Sequence, residues 1–305
     1  MSDNKLNLIG NTPLVRLNKI EKQFNIKAKL YAKLESFNVG GSIKDRIAKH
    51  IIEKYENLAL LKKGSVIIEA TSGNTGIGLA LVSKLKGYKC IIVMPENMSV
   101  ERVNLIKSYG AEVVLTDKNL GMQGAISKAE EIKKQNIGSI IIGQFENPYN
   151  AETHYLSTGP EIYSELNGNV GALFSGVGTG GTITGIGSYL KEQNKSVKVF
   201  GIEPFESAVL SGESKGAHGI QGIGAGFIPK VLNVNVYDKI IKVKTSDAIE
   251  FTKLINTIEN VSAGISSGAC LNGAINVLKS GEFDNKNVVL IFPDGIEKYL
   301  SLNLF

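Results

Sequence analysis

SVIIEATSGNTGIGLALVSKLKGYKCIIVM, residues 65–94, decides the fold class. It reads as an apolar strand (65–70), a loop of small hydroxyl, amide and glycine residues, a helix closed by Gly87, and a second apolar strand (89–94). A strand that is apolar along its whole length is covered on both faces, and two such strands joined through a helix are parallel. Glycine after the last helical turn supplies the left-handed cap. The alternation continues outward. AEVVLT (111–116), SIIIGQ (139–144), VGALFSG (170–176), VKVFGIE (197–203), KIIKVK (239–244) and NVVLIFPD (287–294) read as further strands, with helical segments such as SVERVNLIKSYG and MQGAISKAEEIKKQ between them. The predicted class is α/β: two α/β domains with mostly parallel sheets covered by helices.

Composition agrees with this class and excludes others. A chain of 305 residues with 43% hydrophobic and 21% charged residues has enough apolar material for one large or two medium cores. The net charge of +5 is spread, with Lys and Arg interleaved among Asp and Glu, so no nucleic-acid-binding stripe is expected. The N-terminal MSDNKLNLIGNTP lacks the apolar core of a signal peptide, and no window holds the ~18 apolar residues that cross a bilayer. Cys90 and Cys270 lie in apolar segments and read as buried thiols. A cytoplasmic protein without a membrane partner is the expectation.

Ligands of open α/β sheets bind beyond the carboxyl ends of the strands, so the loops there carry the chemistry. Three of them stand out. In SFNVGGSIKDR (36–46), Lys44 opens a predicted helix, where the positive end of the helix dipole disfavours the charged amine and favours a nucleophilic one; the alternative is a surface lysine. In EATSGNTGIGLA (69–80), Thr71, Ser72, Gly73, Asn74 and Thr75 offer hydroxyl and backbone donors to a carboxylate, or simply cap the helix. In FSGVGTGGTITG (174–185), Gly178, Thr179, Gly180, Gly181 and Thr182 follow a strand and open a helix, as a phosphate cradle does. The last loop has a second reading. Gly176, Gly178 and Gly181 match G-x-G-x-x-G, and the next strand ends in acidic Glu203, so a dinucleotide site and an NAD-dependent oxidoreductase remain open on this segment alone.

The ordered set SFNVGGSIKDR, TSGNTG, QFENP, GVGTGGT, IQGIGAGFIP and GISSGA, running from NLIGNTPLVRL at residue 7 to the KYLSLNLF tail, resembles the cysteine synthase (O-acetylserine sulfhydrylase) family. That family has the tryptophan-synthase-β type of fold, fold type II of the pyridoxal-phosphate enzymes. The resemblance implies pyridoxal 5'-phosphate as cofactor, held as a Schiff base by Lys44, which is also the acid/base at the substrate α-carbon. It implies Asn74 at the cofactor's ring hydroxyl, Gly178–Thr182 as the phosphate cup and Ser266 at the pyridine nitrogen. It further implies that Thr71–Thr75 and Gln144 bind the substrate carboxylate and that Gly224 lines the cleft near the substrate amine. The resemblance likewise implies a smaller mobile domain (35–145) with the carboxylate site and a larger one (13–34 and 146–305) with the phosphate site, the active site being in the cleft between them. A homodimer is implied, and a complex with serine acetyltransferase is open.

A hydroxyl at the pyridine nitrogen does not force its protonation, and a neutral ring is a weaker electron sink. β-Elimination to an α-aminoacrylate, followed by attack of sulfide or a thiol, is therefore expected. The first reading is O-acetyl-L-serine plus sulfide giving L-cysteine plus acetate. The second takes L-cysteine as first substrate, releasing hydrogen sulfide and forming serine, lanthionine or cystathionine. It is motivated by departures from the family pattern: Val39 for proline, Ala70 for proline, Ala217 and Gly219 in GAHGIQG, and Ile296 and Lys298 in the tail. His154 is expected to be structural, a direct catalytic role is not assigned to His218, and Asp294 is expected to cap rather than catalyse.

Overall fold

The computed structural model describes residues 5–97, 100–302 and 304. Among the described residues, ten strands follow in chain order: β1 (Leu14–Arg16), β2 (Lys29–Leu34), β3 (Val66–Ala70), β4 (Lys89–Pro95), β5 (Glu112–Thr116), β6 (Ile140–Ile141), β7 (Ala172–Gly176), β8 (Lys198–Pro204), β9 (Lys239–Val243) and β10 (Asn287–Phe292). The chain forms two compact units. The first comprises the segment ending at Ile9 and Asn38–Tyr149; the second comprises Gly10–Phe37 and the chain from Asn150 onward.

The first unit holds a four-stranded parallel sheet in the order β5-β4-β3-β6. Its central strands, VIIEA and KCIIVMP, are covered on both faces. Ile47 and Ile51 of the Lys44–Asn57 helix and Ile77 of the Asn74–Lys86 helix pack with Ile67 and Ile92. On the opposite face Ala125, Ala129 and Ile132 of the Gly121–Gln135 helix pack with Ile68, Ile91 and Val93. The second unit holds a six-stranded sheet in the order β1-β2-β10-β7-β8-β9, parallel except for β1 against β2. The late strand β10 is wholly buried and lies between β2 and β7. Edge strand β9 keeps Lys239 and Lys242 exposed, which blunts the edge against pairing with another chain.

All eight strands read from the apolar runs are present, with one shortened. SIIIGQ pairs only at Ile140 and Ile141, because Gly143 takes a φ of +66° and turns the chain out of the sheet before Gln144. Two strands are additional. β1 and β2 (LVR and KLYAKL) carry basic residues and give no apolar run, yet Lys33 is fully buried. Its ammonium group reaches the Thr12 carbonyl at 2.6 Å and the carboxylates of Glu161, at 3.0 Å, and Glu165. A buried ammonium is tolerable only with such partners.

Lys33→Met is expected to lower the stability of the chain by about 3 kcal/mol, since both carboxylates and the carbonyl lose their common donor. Urea denaturation checks this; an unchanged midpoint would show that the ion-pair cluster contributes nothing.

Candidate active site

In the first unit, Lys44 is the first residue of the Lys44–Asn57 helix, and its backbone N–H donates to Ser42 Oγ at 3.2 Å. Buried Asp45 accepts from the Gly40 N–H, tying the glycine loop to the first helical turn, where a negative charge is favoured. Asn74 likewise opens the Asn74–Lys86 helix. The two helices approach closely at these ends: a Cβ built on Gly78 would lie 3.0 Å from the Lys44 carbonyl oxygen, a tight contact with backbone. Lys44 and Asn74 therefore belong to one end of a packed helix pair.

The Thr71–Thr75 loop leaves the carboxyl end of β3. Thr71 N–H donates to Val93 O at 3.0 Å, and Gly73 N–H to Thr71 Oγ1 at 3.3 Å. Arg102 donates to the Ser72 carbonyl at 3.1 Å, a contact no local signal in the sequence announces. Thr75 Oγ1 donates to Gln144 Oε1 at 2.7 Å, so the structure brings the TSGNT loop and QFENP together. Beneath them lies Glu69, 3% exposed, accepting from the Gly143 N–H at 2.9 Å and the Gln144 N–H at 3.3 Å. Burial pushes its carboxyl up to about 7, against the opposing pull of those N–H groups and the Gln144 side chain.

In the second unit, the segment Gly178–Thr182 joins β7 to the Gly181–Gln193 helix. Gly180 caps this helix with a φ of +81°, the left-handed region that glycine enters freely. The two hydroxyls are held from behind. Thr179 Oγ1 accepts from Asn150 Nδ2 at 3.0 Å, and Thr182 Oγ1 lies 3.3 Å from His154 Nε2. His154, 1% exposed, has its other ring nitrogen 2.9 Å from Thr158 Oγ1, so it braces the glycine loop. Asn150 was not legible as a site residue. Its relation to Thr179 exists only once the Tyr149–Leu156 helix has packed.

Ser266 is buried in the first turn of the Ile265–Leu278 helix. Gly224 donates its N–H to Val177 O at 3.0 Å, and its carbonyl lies 3.0 Å from His218 Nε2. A carbonyl can only accept, so His218 donates there and holds the loop. Asp294 accepts from Tyr299 OH at 2.9 Å, and its backbone carbonyl accepts from the Gly264 N–H, next to the Ile265–Leu278 helix. Among the sequence departures, Gly219 is explained by packing: its N–H donates to Thr245 Oγ1 at 3.0 Å, and a Cβ there would lie 2.6 Å from Thr245 Cγ2. Val39 and Ile296 pack against the cores of their units.

The dinucleotide reading fails at Glu203. Its carboxylate is 1% exposed and already accepts from the Leu210 N–H (2.8 Å), the Ser211 N–H (3.0 Å) and the Ser211 hydroxyl, which closes the turn after β8. No oxygen is left facing outward for a ribose. The cup instead offers the backbone N–H groups of a helix N-terminus with two braced hydroxyls, donors that suit a phosphate monoester.

The chain belongs to the pyridoxal-phosphate dependent enzyme family, whose pattern matches residues 5–294. It is 48% identical to the cysteine synthase of Staphylococcus aureus, over 99% of this chain and 97% of that one. Among solved structures it is similar to the cysteine synthase of Entamoeba histolytica, with a TM-score of 0.97 and 40% identity over 100% of this chain and 91% of the other. It is also similar to a hydrogen sulfide-producing enzyme from Fusobacterium nucleatum, with a TM-score of 0.93 and 42% identity over 98% and 100%. The cofactor is pyridoxal phosphate, and the donors of the glycine cup fit its phosphate. Among the described residues, no helix is long and apolar enough to cross a membrane.

Burial pushes the thiols of Cys90 and Cys270 up to about 12. Both stay protonated at any ordinary pH, so a thiol-selective disulfide reagent is expected to label neither in the folded chain at pH 8 and both after denaturation. Labelling of the folded chain would contradict this burial.

Proposed function

We infer that the chain catalyses β-replacement on an amino acid, converting O-acetyl-L-serine and sulfide to L-cysteine and acetate. The observation that carries this is the 48% identity to cysteine synthase over 99% of the chain; Lys44, Asn74, Gly178–Thr182 and Ser266 stand in the sequence segments that resemble that family. Bound pyridoxal phosphate supplies an electron sink for the substrate α-carbon. The Lys44 amine holds the cofactor and moves the proton at that carbon; its position at a helix N-terminus disfavours a permanent positive charge. Asn74 hydrogen-bonds the cofactor's ring hydroxyl. Ser266 meets the pyridine nitrogen with a hydroxyl rather than a carboxylate, which steers the reaction toward expulsion of the β-substituent.

Thr71–Thr75 and Gln144 orient the substrate carboxylate, and the loop at Gly224 lines the site near the amine. The α C–H and β C–O bonds break, acetate leaves, and a C–S bond forms at the β-carbon as the proton returns. The chain works as a homodimer in the cytoplasm, the compartment that suits two reduced thiols, and serine acetyltransferase is the candidate protein partner.

A second reading takes L-cysteine as first substrate with release of hydrogen sulfide. It is favoured by the 42% identity to the sulfide-producing enzyme and by Gly219, which occupies the position of a lysine in the familiar GPHKIQG. The two are separated by comparing cysteine formation from O-acetylserine and sulfide with sulfide release from cysteine. Faster release would overturn the first reading in favour of the second.

Lys44→Ala is expected to abolish the visible absorption of the bound cofactor and to reduce turnover by about 10³-fold or more. Retention of both would remove Lys44 from its role. Asn74→Ala should slow turnover while cofactor content, measured after dialysis, stays near that of the parent chain, because the phosphate cup is untouched.

A further inference from the structure

Glu69 is the only charged residue in β3, and its side chain has gone into the interior of the first unit. A buried carboxylate is costly unless its oxygens are occupied, and here both are. Oε2 takes the Gly143 N–H and Oε1 takes the Gln144 N–H. These two donors come from the turn where the chain leaves β6, at the positive φ of Gly143. The rest of that turn is held separately, by Asn147, whose Nδ2 donates to the Ile142 carbonyl and to Tyr55 OH at 2.8 Å each. From Gln144 the chain of hydrogen bonds runs on to Thr75 in the TSGNT loop. Glu69 therefore ties the backbone of one loop to the strand from which the other loop departs.

We propose that Glu69 is a positioning residue for the substrate carboxylate: its two oxygens hold the Gly143–Gln144 turn so that Gln144 Oε1 accepts from Thr75 Oγ1 and fixes the TSGNT loop against that turn. The proposal rests on the reading of Gln144 and Thr71–Thr75 as the carboxylate site. In its ionised form the Glu69 carboxyl is acceptor-only, so it satisfies both N–H groups at once. A glutamine of the same shape keeps one acceptor and turns an NH2 group toward the other N–H, a donor facing a donor. Glu69→Gln therefore disturbs the turn with almost no change of volume.

The test compares the parent chain, Glu69→Gln, Gln144→Ala and the double variant as holoenzymes. Each single substitution is expected to raise KM for O-acetylserine by about tenfold, the scale of one charge-assisted hydrogen bond, while KM for sulfide stays unchanged. The double variant should be no worse than Gln144→Ala, because Glu69 acts through Gln144. Amide hydrogen exchange in residues 143–147 should speed up in Glu69→Gln and stay unchanged in β4 and the Lys44–Asn57 helix. If Gln144→Ala raises KM but Glu69→Gln moves neither KM nor that exchange, the positioning role is overturned. Full additivity in the double variant overturns it too. An unchanged KM in Gln144→Ala would overturn the carboxylate assignment, and the proposal with it. Should Glu69→Gln not fold, Glu69→Asp keeps the charge, shortens the reach by one methylene, and carries the same expectations.

Discussion

β3, β4, β7, β8 and β10 are covered on both faces, so most of their side chains are committed to packing. In a parallel sheet the connections at one end begin where strands finish, and polar loops gather there. The TSGNT loop follows β3, the Gln144 turn follows β6, and the glycine cup follows β7. Lys44 and Asn74 each open a helix, where the dipole favours anions. Two-sided burial is thus what concentrates the chemistry of this chain in a few short loops.

The same constraint explains the buried charges. Lys33, Glu69 and Glu203 all lie on strands, and none is left without partners: two carboxylates and a carbonyl for Lys33, two backbone N–H groups for Glu69, two backbone N–H groups and a hydroxyl for Glu203. In each case a charge that would be costly in the interior closes a turn or joins segments distant in sequence. These groups do not touch reacting atoms on that account.

Much of the fold was legible because a doubly covered strand must be apolar along its length, and eight strands announced themselves this way. β1 and β2 did not: Arg16 and Lys29 face solvent, and Lys33 reads the same way until Glu161 and Glu165 arrive from more than a hundred residues away. The glycine segment at 176–182 was legible as an anion cradle, but its choice between a dinucleotide and a phosphate monoester turned on Glu203. Acid at the end of a strand has the same letter whether it faces a ribose or, as here, the amides of the following turn.

By itself the sequence determined the class of fold, through the periodicity of its apolar runs, and the chemical types present in each loop, through residues such as Lys44, Asn74 and the glycines around Thr179. Only the tertiary structure decided which polar groups are spent holding the protein together. Asn150 and His154 brace Thr179 and Thr182, Arg102 holds the Ser72 carbonyl, and Glu69 holds the Gln144 turn. The reason is physical. Periodicity is local and survives in one dimension, whereas a hydrogen bond between residues 69 and 144 exists only after β3 and β6 have paired.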